Sequence, residues 1–224
     1  MMIANTLAKS APAPFIPERL ALGETPDVLA QIYKQTFNLA IWKRPDKPAL
    51  AEAAQQLLDT AGSVQCRSIL PADRVDAYLD TELPQFQHRQ TLIDDISLIS
   101  DMFACLFGLD NIGFRFASLD AAMCPKFHVD RVPCRLLTSY CGVGTEWLAD
   151  EHVDRSKLGT GSQGLSDAES GLYPSSGLIQ RFSPGDVGLL KGELWEGNEN
   201  RGLVHRSPVP EKKQQRLLLT LDFA

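Results

Sequence analysis

The sequence predicts an α+β fold in which a mostly helical first half packs against a β jelly roll, or double-stranded β-helix, in the second half. After residue 110 the spacing of apolar residues changes from the 3.6-residue period of helices to the two-residue period of strands. Turn-forming residues then recur every 8 to 12 positions and divide the rest of the chain into eight short strand-like segments. Eight short antiparallel strands are typical of a jelly roll.

The composition is that of an ordinary globular protein. The 224 residues are 44% hydrophobic and 22% charged, which is enough for a substantial core. The net charge of −6 argues against binding to nucleic acid through phosphates. We find neither a signal peptide nor an apolar run long enough to cross a membrane. The five cysteines are an odd number in a sequence without a secretory signal, so we expect reduced thiols in a cytoplasmic protein. The absence of a C-x-x-C pair excludes the common zinc-ribbon and thioredoxin motifs. We expect a small-molecule partner and leave the oligomeric state open.

Three parts are predicted along the chain. Residues 1–24 contain three prolines and little periodicity, so we expect a flexible N-terminal arm. Residues 25–110 should form a mostly helical support region, and residues 111–224 a double-stranded β-helix that carries a metal site. In the support region, helices are predicted at 26–34, 49–61, 72–79 and 91–109, and strands at 38–44 and 65–70.

The second half carries the predicted chemistry. Its eight strands are predicted at 112–118, 126–130, 135–140, 145–148, 178–182, 187–191, 202–206 and 217–223. The polar segment 150–176 is rich in Gly and Ser, and we expect it to be an exposed or mobile loop. Strands two and seven of a jelly roll pair with each other, so the second and seventh predicted segments should lie side by side.

These two segments contain a possible set of metal ligands. His128 and Asp130 are two residues apart, so a strand places both side chains on one face. One imidazole and one carboxylate are two of the three ligands in a 2-His-1-carboxylate Fe(II) site. His205, in the seventh strand, is the candidate for the third ligand.

A second H-x-D motif competes with the first. With four histidines and 28 acidic residues, about 0.5 such motifs would arise by chance, and His152 with Asp154 repeats the pattern. However, His152 begins the polar loop, and only two predicted strands separate Asp154 from His205, whereas the pairing needs four. We therefore favour His128 and Asp130 and expect His152 to be a solvated loop residue.

Arg216 adds a feature that a simple metal site does not need. It lies 11 residues after His205, at the start of the last predicted strand. Strands seven and eight of a jelly roll belong to opposite sheets, so the Arg216 side chain can reach across the mouth towards the metal. Its planar guanidinium suits a bidentate contact with a carboxylate.

The H-x-D pair, the distal histidine and the later arginine together resemble the Fe(II)/2-oxoglutarate-dependent oxygenases. The run that contains Arg135, Thr138 and Tyr140 is similar to the strand after H-x-D in prolyl-hydroxylase-like members. The resemblance implies Fe(II) and 2-oxoglutarate as cofactors and hydroxylation of an unknown substrate. It implies that the catalytic metal ligands are His128, Asp130 and His205. It also implies that the cofactor is bound by Arg216, Tyr140, Thr138 and Arg135.

Two alternatives stay open. The whole chain, with Cys124-Pro-Lys-Phe-His-Val-Asp130 and Gly144-Thr-Glu-Trp147, also looks like a bacterial family of unknown function whose members tend to be linked with zinc-homeostasis genes. That likeness allows a non-catalytic, cupin-like protein that binds zinc or another metal. A cupin-type enzyme without 2-oxoglutarate is the other alternative, although the H-x-H and later Glu of cupins are absent. Arg216 discriminates, because a storage protein does not need to hold a carboxylate.

The charges near the proposed ligands predict an anionic substrate. The protein is acidic overall, yet five basic residues lie within a few positions of the ligands: Lys126, Arg131, Arg135, Arg206 and Arg216. Strand alternation places Arg206 on the opposite face from His205, and it likewise places Arg131 on the opposite face from Asp130. These two arginines could therefore be structural ion-pair partners.

Overall fold

The computed structural model describes residues 18–210 and 214–224 and contains a seven-stranded and a three-stranded sheet. The strands are β1 Leu20–Gly23, β2 Leu39–Trp42, β3 Gln65–Leu70, β4 Ile112–Leu119, β5 Cys134–Cys141, β6 Glu146–Leu148, β7 Gln180–Arg181, β8 Val187–Lys191, β9 Val204–Arg206 and β10 Arg216–Phe223. The α-helices are α1 Pro48–Ala61, α2 Val75–Glu82 and α3 Arg89–Phe107. In the first half of the chain, 3₁₀ helices are present at Pro26–Tyr33 and Ala72–Arg74. The fold is mixed α and β, as the sequence predicted.

The last two strands of the chain belong to different sheets. The large sheet has the order β1-β2-β8-β5-β10-β4-β3, and the small sheet has the order β7-β6-β9. Among the strands of the described residues, β1 and β2 are parallel and all other pairs are antiparallel. Strand β9 therefore lies in the small sheet and β10 in the large one, as predicted for the strands that carry His205 and Arg216.

The large sheet separates two hydrophobic clusters. Along β10, Leu217, Leu219 and Leu221 pack against the helices, whereas Leu218 packs in a second cluster between the two sheets. This alternation is the two-residue period of a strand. The even-numbered residues of β10 consequently face the small sheet, and Arg216 is one of them.

Helix α3 supplies much of the cover on the helical side. Its residues Leu92, Ile96, Ile99 and Phe103 recur at spacings of three and four and are at most 1% exposed. Each buried side chain of this size contributes about 1.5–3 kcal/mol. Gly108 ends the helix in the left-handed region, and its N–H bonds to carbonyls of the last turn.

The N-terminal part differs from the prediction. Residues 20–23, predicted to belong to a flexible arm, form β1 and extend the large sheet beside β2. Such a short segment carries too weak a periodic pattern, so the pairing with β2 decides its structure. Residues 1–17 of the predicted arm lie outside the described residues. The helix predicted at 26–34 is a 3₁₀ helix, and the one at 72–79 begins as one. The three-part domain division stays a prediction.

The segment 150–176 is not simply exposed. Leu172 and Tyr173 are buried in a third cluster, where they meet Phe127 and Val204 on the outer side of the small sheet. The carboxylate of Asp167 also accepts a hydrogen bond from the backbone N–H of Phe127 at 3.0 Å. The few apolar residues of this segment therefore anchor it, although its Gly/Ser composition predicted an exposed or mobile loop.

No helix in residues 18–210 or 214–224 is both long and apolar enough to cross a membrane. All five cysteines are unpaired, and Cys66 and Cys134 are buried in the core.

Candidate metal centre

His128 and His205, 77 positions apart in sequence, are neighbours across a single β-bridge. The backbone N–H of each donates to the carbonyl of the other at 3.0 Å. The predicted strand 126–130 is otherwise irregular, because this bridge is its only ladder contact. Pro125 and Pro133 flank the segment, and proline has no N–H to extend a ladder. The predicted pairing is present, although the regular strand is not.

Three potential ligands meet at this bridge. His128, Asp130 and His205 each offer one ligand atom, and these atoms lie within 4.8 Å of one another. The Nε2 atoms of His128 and His205 lie 3.6 and 3.3 Å from the two oxygens of Asp130. This is the one group of three such side chains among the described residues.

The hydrogen bond made by Nδ1 determines the tautomer of each ligand histidine. Nδ1 of His128 lies 2.9 Å from the carbonyl oxygen of Lys126, and Nδ1 of His205 lies 3.1 Å from that of Leu203. A carbonyl oxygen only accepts, so each Nδ1 carries a proton and donates it. Nε2 of each ring then faces Asp130: it donates to the carboxylate when the ring is protonated, and it presents its lone pair to a metal ion when the ring is neutral.

Arg135 holds the carboxylate in place. It donates to Asp130 at 2.8 Å and forms two further hydrogen bonds of 2.8 Å to Asp222 on β10. Burial alone would raise the pKa of Asp130, but hydrogen bonds from both histidines and the charge of Arg135 hold it well below its usual value. Asp130 is therefore a carboxylate, the form that binds a metal ion.

This donor set fits a catalytic metal ion. Two imidazoles and one carboxylate form the 2-His-1-carboxylate set of non-haem Fe(II), which leaves coordination positions open. Imidazole and carboxylate also bind zinc. His152, in the competing motif, lies in the 3₁₀ helix Asp150–His152 and does not belong to the ligand group.

Arg216 is a buried cation whose partners are hydroxyl groups. It is 2% exposed, and its guanidinium bonds to Ser139 at 3.1 and 3.2 Å, to Ser207 at 3.3 Å and to Thr145. Within residues 18–210 and 214–224 no carboxylate pairs with it. Burial lowers the pKa of Arg216 to about 10, so it remains charged at neutral pH.

A glycine allows β10 to begin at this position. Gly142 has φ +76°, and a Cβ atom there would lie 2.8 Å from the Cα of Arg216. A side chain at position 142 would therefore push the start of β10 away from the end of β5.

The two ligand histidines and Arg216 line one cavity of about 610 Å³. Its lining includes His128, His205, Arg135, Arg216, Thr145 and Ser207. The volume is in the range of small-molecule sites.

Two residues predicted to bind a cofactor are on the wrong face of β5. Thr138 and Tyr140 point into the helix-covered core, and the Tyr140 hydroxyl donates to Asp95 of α3 at 3.0 Å. Burial, followed by the charge of Asp95, raises the pKa of Tyr140 well above its usual value. Neither residue lines the cavity, whereas Arg135 and Leu137, on the opposite face of β5, do.

Sequence reasoning missed the hydroxyl groups around Arg216. Ser139 lies between the two wrongly chosen residues, and strand alternation groups it with Arg135. Choosing the face of Arg135 would have identified Ser139. Ser207 follows His205 by two residues, so strand alternation would also have placed it on the face of His205. Nothing in the sequence pattern indicates that Thr145 contacts Arg216.

Most of the predicted basic cluster lies elsewhere. Arg206 pairs with Glu146 at 2.7 Å and Asp167 at 3.2 Å, on the opposite face from His205, as strand alternation indicated. Lys126 donates to the carbonyl of Leu165, and Arg131 is exposed and does not line the cavity. Only Arg135 and Arg216 of the five basic residues line it.

The fold and site define a mixed α/β protein with one His-Asp-His ligand group, among the described residues, beside a buried arginine. The chain belongs to the family described as "Protein of unknown function (DUF1826)", whose model matches residues 23–222. No curated protein matches the sequence.

Three solved structures with partial similarity are a dioxygenase, a protein with bound 2-oxoglutarate and a hydroxylase. The rice dioxygenase for auxin oxidation is 15% identical over 82% of this chain and 72% of its own, with a TM-score of 0.44. HygX of Streptomyces hygroscopicus, with nickel and 2-oxoglutarate bound, is 12% identical over 88% and 85%, with a TM-score of 0.47. A prolyl-4-hydroxylase of Pseudomonas putida is 18% identical over 80% and 96%, with a TM-score of 0.30.

Proposed function

We propose that this chain is a non-haem Fe(II)- and 2-oxoglutarate-dependent oxygenase with a double-stranded β-helix fold, which hydroxylates a small molecule. The observation that carries the proposal is the buried charge of Arg216, which has no carboxylate partner among the described residues and lies in the same cavity as the ligand group. A buried, unpaired charge is costly. The distal carboxylate of 2-oxoglutarate would provide its missing partner.

His128, Asp130 and His205 would hold the iron, which when bound supplies the activation of dioxygen for C–H hydroxylation. The residues around them limit the motion of the ligands. The carbonyls of Lys126 and Leu203 orient the two imidazole rings. Arg135, itself fixed by Asp222, orients the carboxylate of Asp130.

The hydroxyl groups of Ser139, Thr145 and Ser207 would complete the carboxylate site. Each accepts a hydrogen bond from Arg216, so the proton of its own O–H is available to a bound ligand. A carboxylate at this position would receive both the charge of the guanidinium and neutral hydrogen bonds. Such charge-assisted contacts are the stronger class of hydrogen bond.

The same observation disfavours a metal-binding protein without catalysis. Such a protein could use the three ligands, but it would gain nothing from an unpaired cation at the end of a cavity of about 610 Å³. The cost of burying Arg216 would then have no compensation in the bound state.

Titration of 2-oxoglutarate into the anaerobic Fe(II) protein tests the proposal. Chelation through the 2-oxo acid should produce a metal-to-ligand charge-transfer band in the visible range. Arg216→Gln should retain the metal but weaken 2-oxoglutarate binding by about 2–4 kcal/mol, a roughly thirty- to thousandfold rise in Kd.

Two controls separate the outcomes. Arg74→Gln removes an exposed arginine outside the cavity and should leave the titration unchanged. His128→Ala should abolish the band, whereas His152→Ala should retain it. If the wild-type protein binds Fe(II) but shows no band with 2-oxoglutarate, the oxygenase proposal is wrong and the metal-binding alternative is favoured.

A further inference from the structure

We infer that Arg67 and Arg115 form an anion-binding site for the negatively charged group of an organic substrate. The role of this anion as a substrate rests on the proposed oxygenase function, whereas the anion site itself does not. Both arginines line the cavity that contains His128, His205 and Arg216.

The sheet register brings the two arginines together. Arg67 of β3 and Arg115 of β4 are directly opposite each other, and Arg115 is also opposite Thr220 of β10. Side chains directly opposite on one face have Cβ atoms about 4.5–5.5 Å apart. Thr220 shares its face with Arg216, so both guanidinium groups project from the cavity side of the large sheet.

No side-chain carboxylate among residues 18–210 and 214–224 pairs with these two arginines. Among the described residues, neither arginine forms a side-chain hydrogen bond or an ion pair with a carboxylate. Asp222 is the one side-chain carboxylate in the cavity lining, and Arg135 already contacts both of its oxygens. An anion from solution is therefore the partner that the site lacks.

Protection of the sheet edge does not explain both residues. Like charges directly opposite each other destabilise a sheet. A charge on the edge strand β3 can discourage edge-to-edge association, and Arg67 alone would provide it. Arg115 lies one strand further in and faces the cavity, so it increases the repulsion without protecting an edge.

The pair is also distinct from the Arg216 site. Along β4, Arg115 is four residues from Leu119, which is the partner of Arg216 across the ladder. Four residues of a strand span roughly 13 Å. Arg216 bonds to Ser139 of β5, on one side of β10, whereas Arg115 lies on β4, on the other side, so the two arginines form separate sites.

The neighbouring side chains indicate what the anion is attached to. Ile69 is 71% exposed, Met123 is 42% exposed, and both line this cavity with Phe223. A ligand with an apolar part beside its charged group would cover them. The chemistry points to an organic anion with a carboxylate or phosphate group on a short apolar body.

Calorimetric titration of the Ni(II)-loaded protein, saturated with 2-oxoglutarate, tests this site. The probes are hexanoate and hexyl phosphate, with hexan-1-ol and hexylamine as neutral and cationic matches. The anions should bind more tightly than the matches, and the stronger anion distinguishes carboxylate from phosphate. Arg67→Gln and Arg115→Gln should each weaken anion binding by about tenfold or more.

Arg74→Gln is the matched variant and should retain anion binding. Equal binding of all four probes, no saturable anion binding, or anion binding that is unchanged in both Arg67→Gln and Arg115→Gln would overturn the inference. Folding is checked independently, because Arg115→Gln removes a repulsion and should melt at a higher temperature at low ionic strength, with the difference shrinking in salt.

The experiments can refute the oxygenase proposal and the anion-site proposal independently of each other. A protein that shows no charge-transfer band with 2-oxoglutarate, but still binds hexanoate or hexyl phosphate through Arg67 and Arg115, refutes the oxygenase and retains the anion site. A protein with the band, but without arginine-dependent binding of either probe, refutes the anion site alone.

Discussion

Adjacent residues of β5 have unrelated tasks because they point to opposite sides of the large sheet. The hydroxyl of Ser139 contacts Arg216 in the cavity, whereas the hydroxyl of Tyr140 donates to Asp95 in the helical core. Asp95 is in turn held by two hydrogen bonds from Arg44, of 2.8 and 2.9 Å. Ser139 therefore belongs to the proposed co-substrate site, and Tyr140 to the scaffold.

Substitution of these two neighbours should separate binding from stability. Ser139→Ala should raise the Kd for 2-oxoglutarate several-fold, because it removes a hydrogen bond that contributes about 1 kcal/mol. Tyr140→Phe should leave that Kd unchanged but lower the free energy of unfolding by about 1 kcal/mol. Charge-transfer titrations and urea denaturation measure the two quantities. The reverse assignment of effects would mean that the faces of β5 are exchanged.

Lys191 is a second buried cation, at the end of β8. It is 2% exposed, donates to the carbonyl of Lys34 at 2.9 Å, and lies 4.8 Å from the ring centroid of Trp195. Burial lowers the pKa of Lys191 from 10.5 to about 8. The folded state thus bears the cost of burying a charge that the unfolded state keeps in water.

This shift predicts a rise in stability at alkaline pH. Below about pH 8 the lysine is charged in both states, and between pH 8 and 10.5 only the unfolded state keeps the proton. Stability should therefore rise through this window by roughly 3 kcal/mol relative to Lys191→Met, which has no such proton to lose. Urea denaturation of both proteins across the window measures the difference. Parallel pH profiles would contradict the assignment.

At the scale of elements, the ligand segment depends on close backbone contacts instead of a regular strand. Residues 128–130 are held by the bridge to His205 and by the turn after β8, where the N–H of Glu193 donates to the carbonyl of Asp130 at 2.9 Å. The preceding residue is Gly192. A Cβ atom there would lie 2.1 Å from the carbonyl oxygen of Val132 and 2.6 Å from that of Asp130.

Gly192→Ala should therefore weaken metal binding without contacting the metal. The added methyl group must displace the backbone of residues 130–132, and this displacement moves the carboxylate of Asp130 away from its position as a ligand. We expect at least a roughly tenfold loss of Ni(II) affinity by calorimetry, comparable to the loss of an orienting partner. Gly177→Ala is the control, since the nearest atom to its Cβ is 3.6 Å away. Unchanged affinity in Gly192→Ala would show that the segment adapts.

The elements that the sequence predicted well are those with strong internal patterns. Helix α3 has apolar residues on one face and a glycine at its end, and β10 begins within one residue of its predicted start. Strand β1 and the segment 126–130 have no comparable pattern. Their conformations depend on partners far away in sequence, which local propensity cannot identify.

At the scale of the whole molecule, a bound metal would connect segments that are 77 residues apart. The ligand group exists only in the folded chain, so metal binding should stabilise the fold by mass action. At a free Ni(II) concentration about one hundred times Kd, the gain is about 2.7 kcal/mol, which corresponds to a rise in Tm of about 5–10 °C for a chain of this size.

Thermal melts with and without Ni(II) measure this effect. The wild-type protein and His152→Ala should both show the rise, and a chelator should reverse it. His205→Ala should show little or none, because two remaining ligands bind the metal weakly. A rise that persists in His205→Ala but disappears in His152→Ala would mean that the other H-x-D motif is the ligand.

The sequence alone determined the residue types, the spacing that made His128, Asp130 and His205 a candidate ligand group, and Arg216 as its charged neighbour. Alternation along a strand shows which residues share a face, but not which face is covered by helices. Only the tertiary structure decided that Ser139 contacts Arg216 and Tyr140 does not, and that Arg67 and Arg115 meet across β3 and β4. These contacts depend on strand register between distant segments, which packing of the whole core selects.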